Sequence, residues 1–162
     1  MKDLGKIRGT IFSTLFISLL VVLSDQLIKY LLNNSLYPGQ SLPVVKNIFH
    51  ITLVYNTGIA FGLFKDQTWL FILLSSVVIA MLLVNIFTEV KRKSINRIDW
   101  FALSFILGGA VGNLIDRLRF GYVVDFLDFR IWPVFNIADS CITIGIILIF
   151  IRCIPSFAKS DR

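Results

Sequence analysis

One histidine and two cysteines are all that this 162-residue chain offers to imidazole and thiol chemistry. With His50 alone, HExxH zinc chemistry and a Ser-His-Asp triad both lack their parts. His50 also falls in a stretch that reads as a strand, where a lone histidine is more often structural. No G-x-S-x-G elbow and no Walker loop is present, which removes the common serine-hydrolase and nucleotide-binding designs. Cys141 and Cys153 stand twelve residues apart on one expected helix, too far to join, so they are expected to be small packing residues without an intrachain disulfide. No repeat, low-complexity tract or long linker divides the chain, and residues 1–162 are expected to form one domain.

What the chain has in quantity is apolar side chain. It is 56% hydrophobic, with a mean hydropathy of +0.80, too apolar for an ordinary soluble globule. About 20 apolar residues cross a hydrocarbon core of roughly 30 Å as a helix. Trp69 to Phe87 is such a run and carries no charge, and four spans are expected at about 10–32, 69–88, 98–116 and 136–153. The fold class is therefore an α-helical integral membrane protein. Lys2, Lys6 and Arg8 before Ile11 to Leu23 could also begin a cleaved signal peptide, but no small-residue cleavage pattern follows, so the first run is expected to stay as an anchor.

Ten of the sixteen basic residues lie in the amino tail, the turn after the second span (Lys91, Arg92, Lys93, Arg97) and the carboxyl tail (Arg152, Lys159, Arg162). Four spans put these on one face, cytoplasmic by the positive-inside rule. Lys46, Lys65, Arg117, Arg119 and Arg130 remain on the outer side. The basic balance thus reports topology and contact with anionic membrane lipid, and no nucleic-acid motif competes with that reading. Between the first two spans, Pro38-Gly39 and Asn56-Thr57-Gly58 bracket a β-branched and aromatic stretch, expected as a small β-structured flap over about 35–66. Gly108 and Gly112 form a GxxxG pattern that lets a neighbouring helix come close.

Four of the ten acidic residues, Asp116, Asp125, Asp128 and Asp139, fall between Asn113 and Ser140. Ionisable groups at a membrane rim mark a site or a pairing that ties helices together. Asp25, Lys29, Asn113, Asp116, Arg117, Asn136 and Asp139 are all expected at the outer span ends, with Asp125 in the loop between the last two spans. Two carboxylates close enough to share a proton can act as acid and base on water with no metal and no cofactor. Asp25 and Lys29, at i and i+4, read as an ion pair. NLID (113–116) and NIAD (136–139) make Asp116 with Asp139 a candidate pair, while the apolar neighbours of Asp125 would raise its pKa as an acid requires. Asp128 reads as a solvated loop charge. Spacing alone leaves the choice of pair open.

SDQLIKY, YNTGIAFG, GGAVGNLIDR, VVDF and FNIADS, in that order, resemble the lipoprotein signal peptidase (signal peptidase II) family of bacterial membrane aspartyl peptidases. The resemblance implies four spans, an extracytoplasmic β-cradle and a short amphipathic helix over the site. It places the catalytic dyad at Asp125 and Asp139, with Asp25, Lys29, Asn56, Asn113, Asp116, Arg117 and Asn136 around substrate and dyad. Thirteen residues separate the two dyad aspartates, a short connector for that family. The implied substrates are prolipoproteins carrying a diacylglyceryl group on the lipobox cysteine, cut on the amino side of that cysteine at the outer face of the bacterial inner membrane. A small proton-coupled transporter would need polar residues along its helices, and the second span offers little beyond Ser75, Ser76 and Asn85. A non-enzymatic membrane scaffold would leave the aspartates unexplained.

Overall fold

Each long apolar run becomes a helix, because inside a bilayer only intrahelical bonds satisfy the backbone. The computed structural model describes residues 2–58, 67–92 and 96–160. The second half of YNTGIAFG, the end of the expected flap with Lys65, Lys93 of the basic turn and Arg162 lie outside the described residues. The helices are α1 (Lys2–Ser35), α2 (Thr68–Arg92), α3 (Arg97–Phe120) and α4 (Ile137–Ser160). Gly9–Ser35, Thr68–Thr88 and Arg97–Phe120 are long and apolar enough to cross a membrane. α4 begins with the acidic first turn that carries Asp139 and continues through the apolar run to Ile151.

Local chemistry sets the ends of α3. Asn96 caps it by accepting the Asp99 N–H at 2.9 Å. Gly121 closes it at φ 80°, a left-handed conformation that costs glycine nothing, and returns its N–H to the Arg117 carbonyl. α3 is the hub, packed against each of the other three helices. A Cβ at Gly108 would lie 2.8 Å from the Ser18 carbonyl oxygen of α1, and one at Gly109 would collide with the Ala138 carbonyl of α4. The GxxxG expectation was thus half of a two-sided device: Gly109 brings α4 as close as Gly108 brings α1.

The bundle is apolar outside and holds, beside a buried cluster of Ile86, Val90, Leu103 and Leu107, a set of polar groups inside. Phe12, Met81 and Phe150 are each at least 66% exposed, whereas Thr14, Ser18, Asp25, Lys29, Ser104, Asn113 and Asp116 are buried. That inversion suits lipid as solvent, since lipid accepts hydrocarbon and penalises unpaired polar groups.

At one end of the bundle sits an antiparallel sheet in the order β1-β2-β3, built from β1 (Ser41–Val45), β2 (Phe49–Asn56) and β3 (Val123–Asp128). Pro43, which cannot donate to a ladder, is tolerated because β1 is an edge strand. Leu36, Leu53 and Val124 bury together with Leu32, Ile51 and Tyr122 packed around them, fixing the sheet to the end of α1. β3 differs from the loop expected there. VVDFLD pairs with β2 and is buried on both faces but for Leu127, so its short apolar run is a core strand. The connector 129–136 contains no helix. Its backbone instead returns to β3, Phe126 and Leu127 both donating to the Phe135 carbonyl and Phe135 donating back to Leu127.

Candidate active site

Four carboxylates meet where the sheet joins the bundle, and their partners divide them into two pairs. Asp25 on α1 and Asp116 on α3 both bind Lys29: the ammonium lies 2.7 Å from each and 3.2 Å from Asn113 Oδ1, which uses all three of its protons. The other carboxylate atoms are also engaged. Asp116 accepts from the Gln26 amide at 2.7 Å and from the Val124 N–H at 3.1 Å, and Asp25 accepts from the Ala138 N–H at 3.0 Å. Three buried ions with satisfied bonds hold α1, α3, β3 and the start of α4 in one arrangement. Gln26 was missed in the sequence, although it stands inside SDQLIKY. A glutamine between the i and i+4 members of an ion pair gives no signal until α3 is placed against it.

Asp125 and Asp139 are arranged differently. Among the described residues neither makes an ion pair, and both line one cavity of about 740 Å³. Asn136 joins them. It caps α4, its Oδ1 accepting the Asp139 N–H at 2.8 Å, while its amide donates to Asp125 Oδ1 at 2.7 Å. A single asparagine thereby fixes the helix start that carries one carboxylate and the orientation of the other. Asn56 of β2 donates to Asp125 Oδ2 at 2.9 Å, and Asn113 of α3 donates to Asp139 Oδ1 at 2.7 Å. Each carboxylate thus keeps at least one side toward the cavity while amides, not cations, hold it.

The electrostatics of Asp125 follow from that setting. Burial, then the neighbouring charge of Asp139, push its pKa up to about 7, against the hydrogen bonds from Asn56 and Asn136. It can therefore carry a proton near neutral pH, as the apolar flanks of VVDFL suggested. Arg117 also lines the cavity, its guanidinium 5.3 Å from the Phe71 ring centre. Phe129, Ile131, Trp132 and Val134 of the connector form the cavity's apolar side, facing Thr143 and Ile144 of α4.

The sequence-level candidates Asp25, Lys29, Asn56, Asn113, Asp116, Arg117, Asp125, Asn136 and Asp139 all come to this one region. Asp116 does not pair with Asp139, because Lys29 and Gln26 hold it away from the cavity lining. Asp128 is not a solvated charge. It is 4% exposed and bonded to Thr52 and Arg130.

A family model described as signal peptidase (SPase) II matches residues 17–155. The chain belongs to the signal peptidase II family. It is similar to the lipoprotein signal peptidase of Halothermothrix orenii, 46% identical over 133 residues, which cover 82% of this chain and 89% of that one. The lipoprotein signal peptidase of Moorella thermoacetica is 47% identical over 135 residues, 83% of this chain and 88% of that one. Two solved bacterial membrane enzymes share the fold: one at TM-score 0.83 and 32% identity, covering 92% of each chain, the other at 0.78 and 34%, covering 88% of this chain and 93% of that one. The chain is accordingly a membrane-embedded peptidase of this family, and neither the transporter nor the scaffold reading is favoured.

Proposed function

We propose that the chain removes signal peptides from diacylglyceryl-modified prolipoproteins, cutting on the amino side of the lipidated cysteine, with Asp125 and Asp139 as its catalytic dyad. The observation that carries this reading is the division of the carboxylates. Lys29 pairs with Asp25 and Asp116, and the two aspartates that line the cavity are held by amides and, among the described residues, make no ion pair.

In the proposed reaction one carboxylate takes a proton from a water whose oxygen attacks the scissile carbonyl carbon. The other carboxyl gives its proton to the carbonyl oxygen as the tetrahedral intermediate forms. Collapse of that intermediate breaks the C–N bond: the first carboxyl passes its proton to the leaving amine, and the second carboxylate takes back a proton from a hydroxyl of the intermediate. The shared proton makes the two roles exchangeable over a cycle, and the pair titrates as a unit. Asn113, Asn136 and Asn56 hold the carboxylates and add donors around the developing charge. Arg117, at the cavity wall, completes the set that orders substrate and dyad.

In this reading residues 1–162 act as one peptidase domain in the bacterial inner membrane, with both termini cytoplasmic and the sheet at the outer leaflet. The acyl chains of the substrate then stay in lipid while the scissile peptide enters beneath the connector. The test is cleavage of a purified diacylglyceryl-modified prolipoprotein by the unmodified chain, by Asp125→Asn and by Asp139→Asn. Loss of cleavage in both variants with folding kept supports the dyad. Normal cleavage by either variant overturns it.

A further inference from the structure

The sheet carries a second buried carboxylate system that the dyad does not use. Between β2 and β3 the ladder is interrupted: Ile51 pairs with Leu127 and Val54 with Asp125, so Thr52 and Leu53 stand opposite Phe126 alone. Side chains bridge that gap. Thr52 Oγ1 donates to Asp128 Oδ2 at 2.7 Å, lies 2.8 Å from Ser41 Oγ, and Ser41 Oγ lies 2.9 Å from His50 Nδ1. Asp128 also accepts from the backbone N–H of Arg130 and from its guanidinium, each at 2.8 Å.

The direction of this chain follows from its end. Burial alone would raise the Asp128 pKa, but the hydrogen bonds from Thr52 and Arg130 outweigh it and hold the group below the usual carboxylate range. An ionised carboxylate only accepts, so Thr52 must donate to it and accept from Ser41. Ser41, having spent its proton on Thr52, must accept from His50. The His50 proton then sits on Nδ1, leaving Nε2, which is buried and has no hydrogen-bond partner among the described residues, as a bare lone pair rather than an orphaned N–H.

Asp128 is also where the chain leaves the sheet for the cavity wall. Arg130 adopts φ 66°, a conformation costly for a residue with a Cβ, and the Asp128 bond to its N–H holds it there. That turn sends Phe129, Ile131 and Trp132 over the cavity, with the Phe129 ring between those of Phe49 and Phe135 at 4.9 and 5.9 Å. We infer that Asp128 is a positioning residue of the peptidase, which sets the connector wall against the lipid-bearing part of the substrate and is itself held by the directional chain from His50 through Ser41 and Thr52. This inference rests on the peptidase reading above and concerns substrate engagement, leaving the proton transfers to Asp125 and Asp139.

Steady-state cleavage of a synthetic diacylglyceryl lipopeptide in mixed micelles tests it, with Asp128→Ala and Thr52→Val beside the unmodified chain. KM should rise about tenfold for Asp128→Ala and several-fold for Thr52→Val, the scales of one charge-assisted and one neutral hydrogen bond. The value of kcat should stay within about twofold, since the dyad is untouched. Nitrogen-15 spectra of the one histidine, near pH 8 and so above the ordinary imidazole range, should show the proton on Nδ1 in the unmodified chain. A proton on Nε2 there would contradict the direction of the hydrogen-bond chain. A kcat loss with KM unchanged, or unchanged kinetics in both variants, overturns the inference. If Asp128→Ala does not fold, the KM of Thr52→Val decides. Failure of the unmodified chain to cut would remove the peptidase reading and this role with it, while the histidine spectrum would still judge the hydrogen-bond chain.

Discussion

Replacing Asp125 by asparagine should remove activity and at the same time flatten the pH dependence of stability. In the folded chain the Asp125 pKa is pushed up to about 7 from its ordinary 3.8. A gap of about three units at roughly 1.4 kcal/mol each makes the ionised form cost the fold about 4 kcal/mol. The folded pKa lies above the unfolded one, so Asp125 imposes no cost below about pH 4, and stability falls as pH rises through about 7. Asparagine never ionises and escapes that loss. It has a penalty of its own, however. Asp125 accepts from Asn136 on one oxygen and from Asn56 on the other, and an amide can accept on one side only, so one donor faces another at a cost of about 1–3 kcal/mol. The variant should therefore be less stable than the unmodified chain by about 1–3 kcal/mol near pH 3, where Asp125 is largely protonated in both states, and more stable by about 1–3 kcal/mol near pH 8. At about 2–4 °C per kcal/mol for a chain of this size, thermal unfolding in detergent should show two curves of Tm against pH that cross. Parallel curves would refute the assignment of a burial-raised carboxyl at this position.

Asn136→Ala removes both the cap of α4 and the amide on Asp125. It should lower stability by about 1–3 kcal/mol and move the acid limb of the pH–rate profile upward, because the lost hydrogen bond favours the ionised form of Asp125; a profile that keeps its limb would separate Asn136 from the dyad. Lys29→Met strands Asp25 and Asp116 beside each other without their cation and should cost about 3–5 kcal/mol, the scale of a broken buried ion pair. Thermal unfolding measures it, and a variant within about 1 kcal/mol of the unmodified chain would show that the triad contributes far less than its geometry implies.

The helices were legible in the sequence because hydrophobic length is a local property, and so was the Asp25–Lys29 pair, whose i, i+4 spacing needs no other element. What was not legible depends on distant pairing. VVDFLD has only six residues, and nothing near it says strand; its partner β2 lies far upstream, and only the assembled sheet makes its residues core. Asp128 looked solvated for the same reason, since Thr52, which receives it, belongs to β2. NLID and NIAD are alike as strings, yet Asn136 stands at a helix start with its side chain free to cap, while Asn113 is mid-helix and spends its oxygen on Lys29 and Asn136. The family resemblance selected Asp125 over Asp116 where spacing could not, and the partners of Asp116 supply a physical reason for that choice.

That reason generalises to how the bundle assigns its charges. Four aspartates in one low-dielectric region cannot all ionise without cations, and Lys29 has three protons to give. By placing Lys29 one turn after Asp25 on α1, and by letting Gly108 and Gly112 bring α3 against that face, the fold commits the ammonium to Asp25, Asp116 and Asn113. The carboxylates that it does not pair with are those delivered by β3 and by the first turn of α4, elements that Asn136 joins. In the mechanism proposed above these two hold one proton between them, the state that acid–base attack on a peptide requires. Moving the cation would therefore move the chemistry. Placing a lysine at Asn56, beside Asp125, should pair that carboxylate, hold it ionised well below pH 7 and abolish the shared proton, with loss of cleavage despite an intact Asp125 and Asp139. Retained cleavage in Asn56→Lys, measured on the lipidated substrate, would mean that the reaction does not depend on a proton shared by the pair.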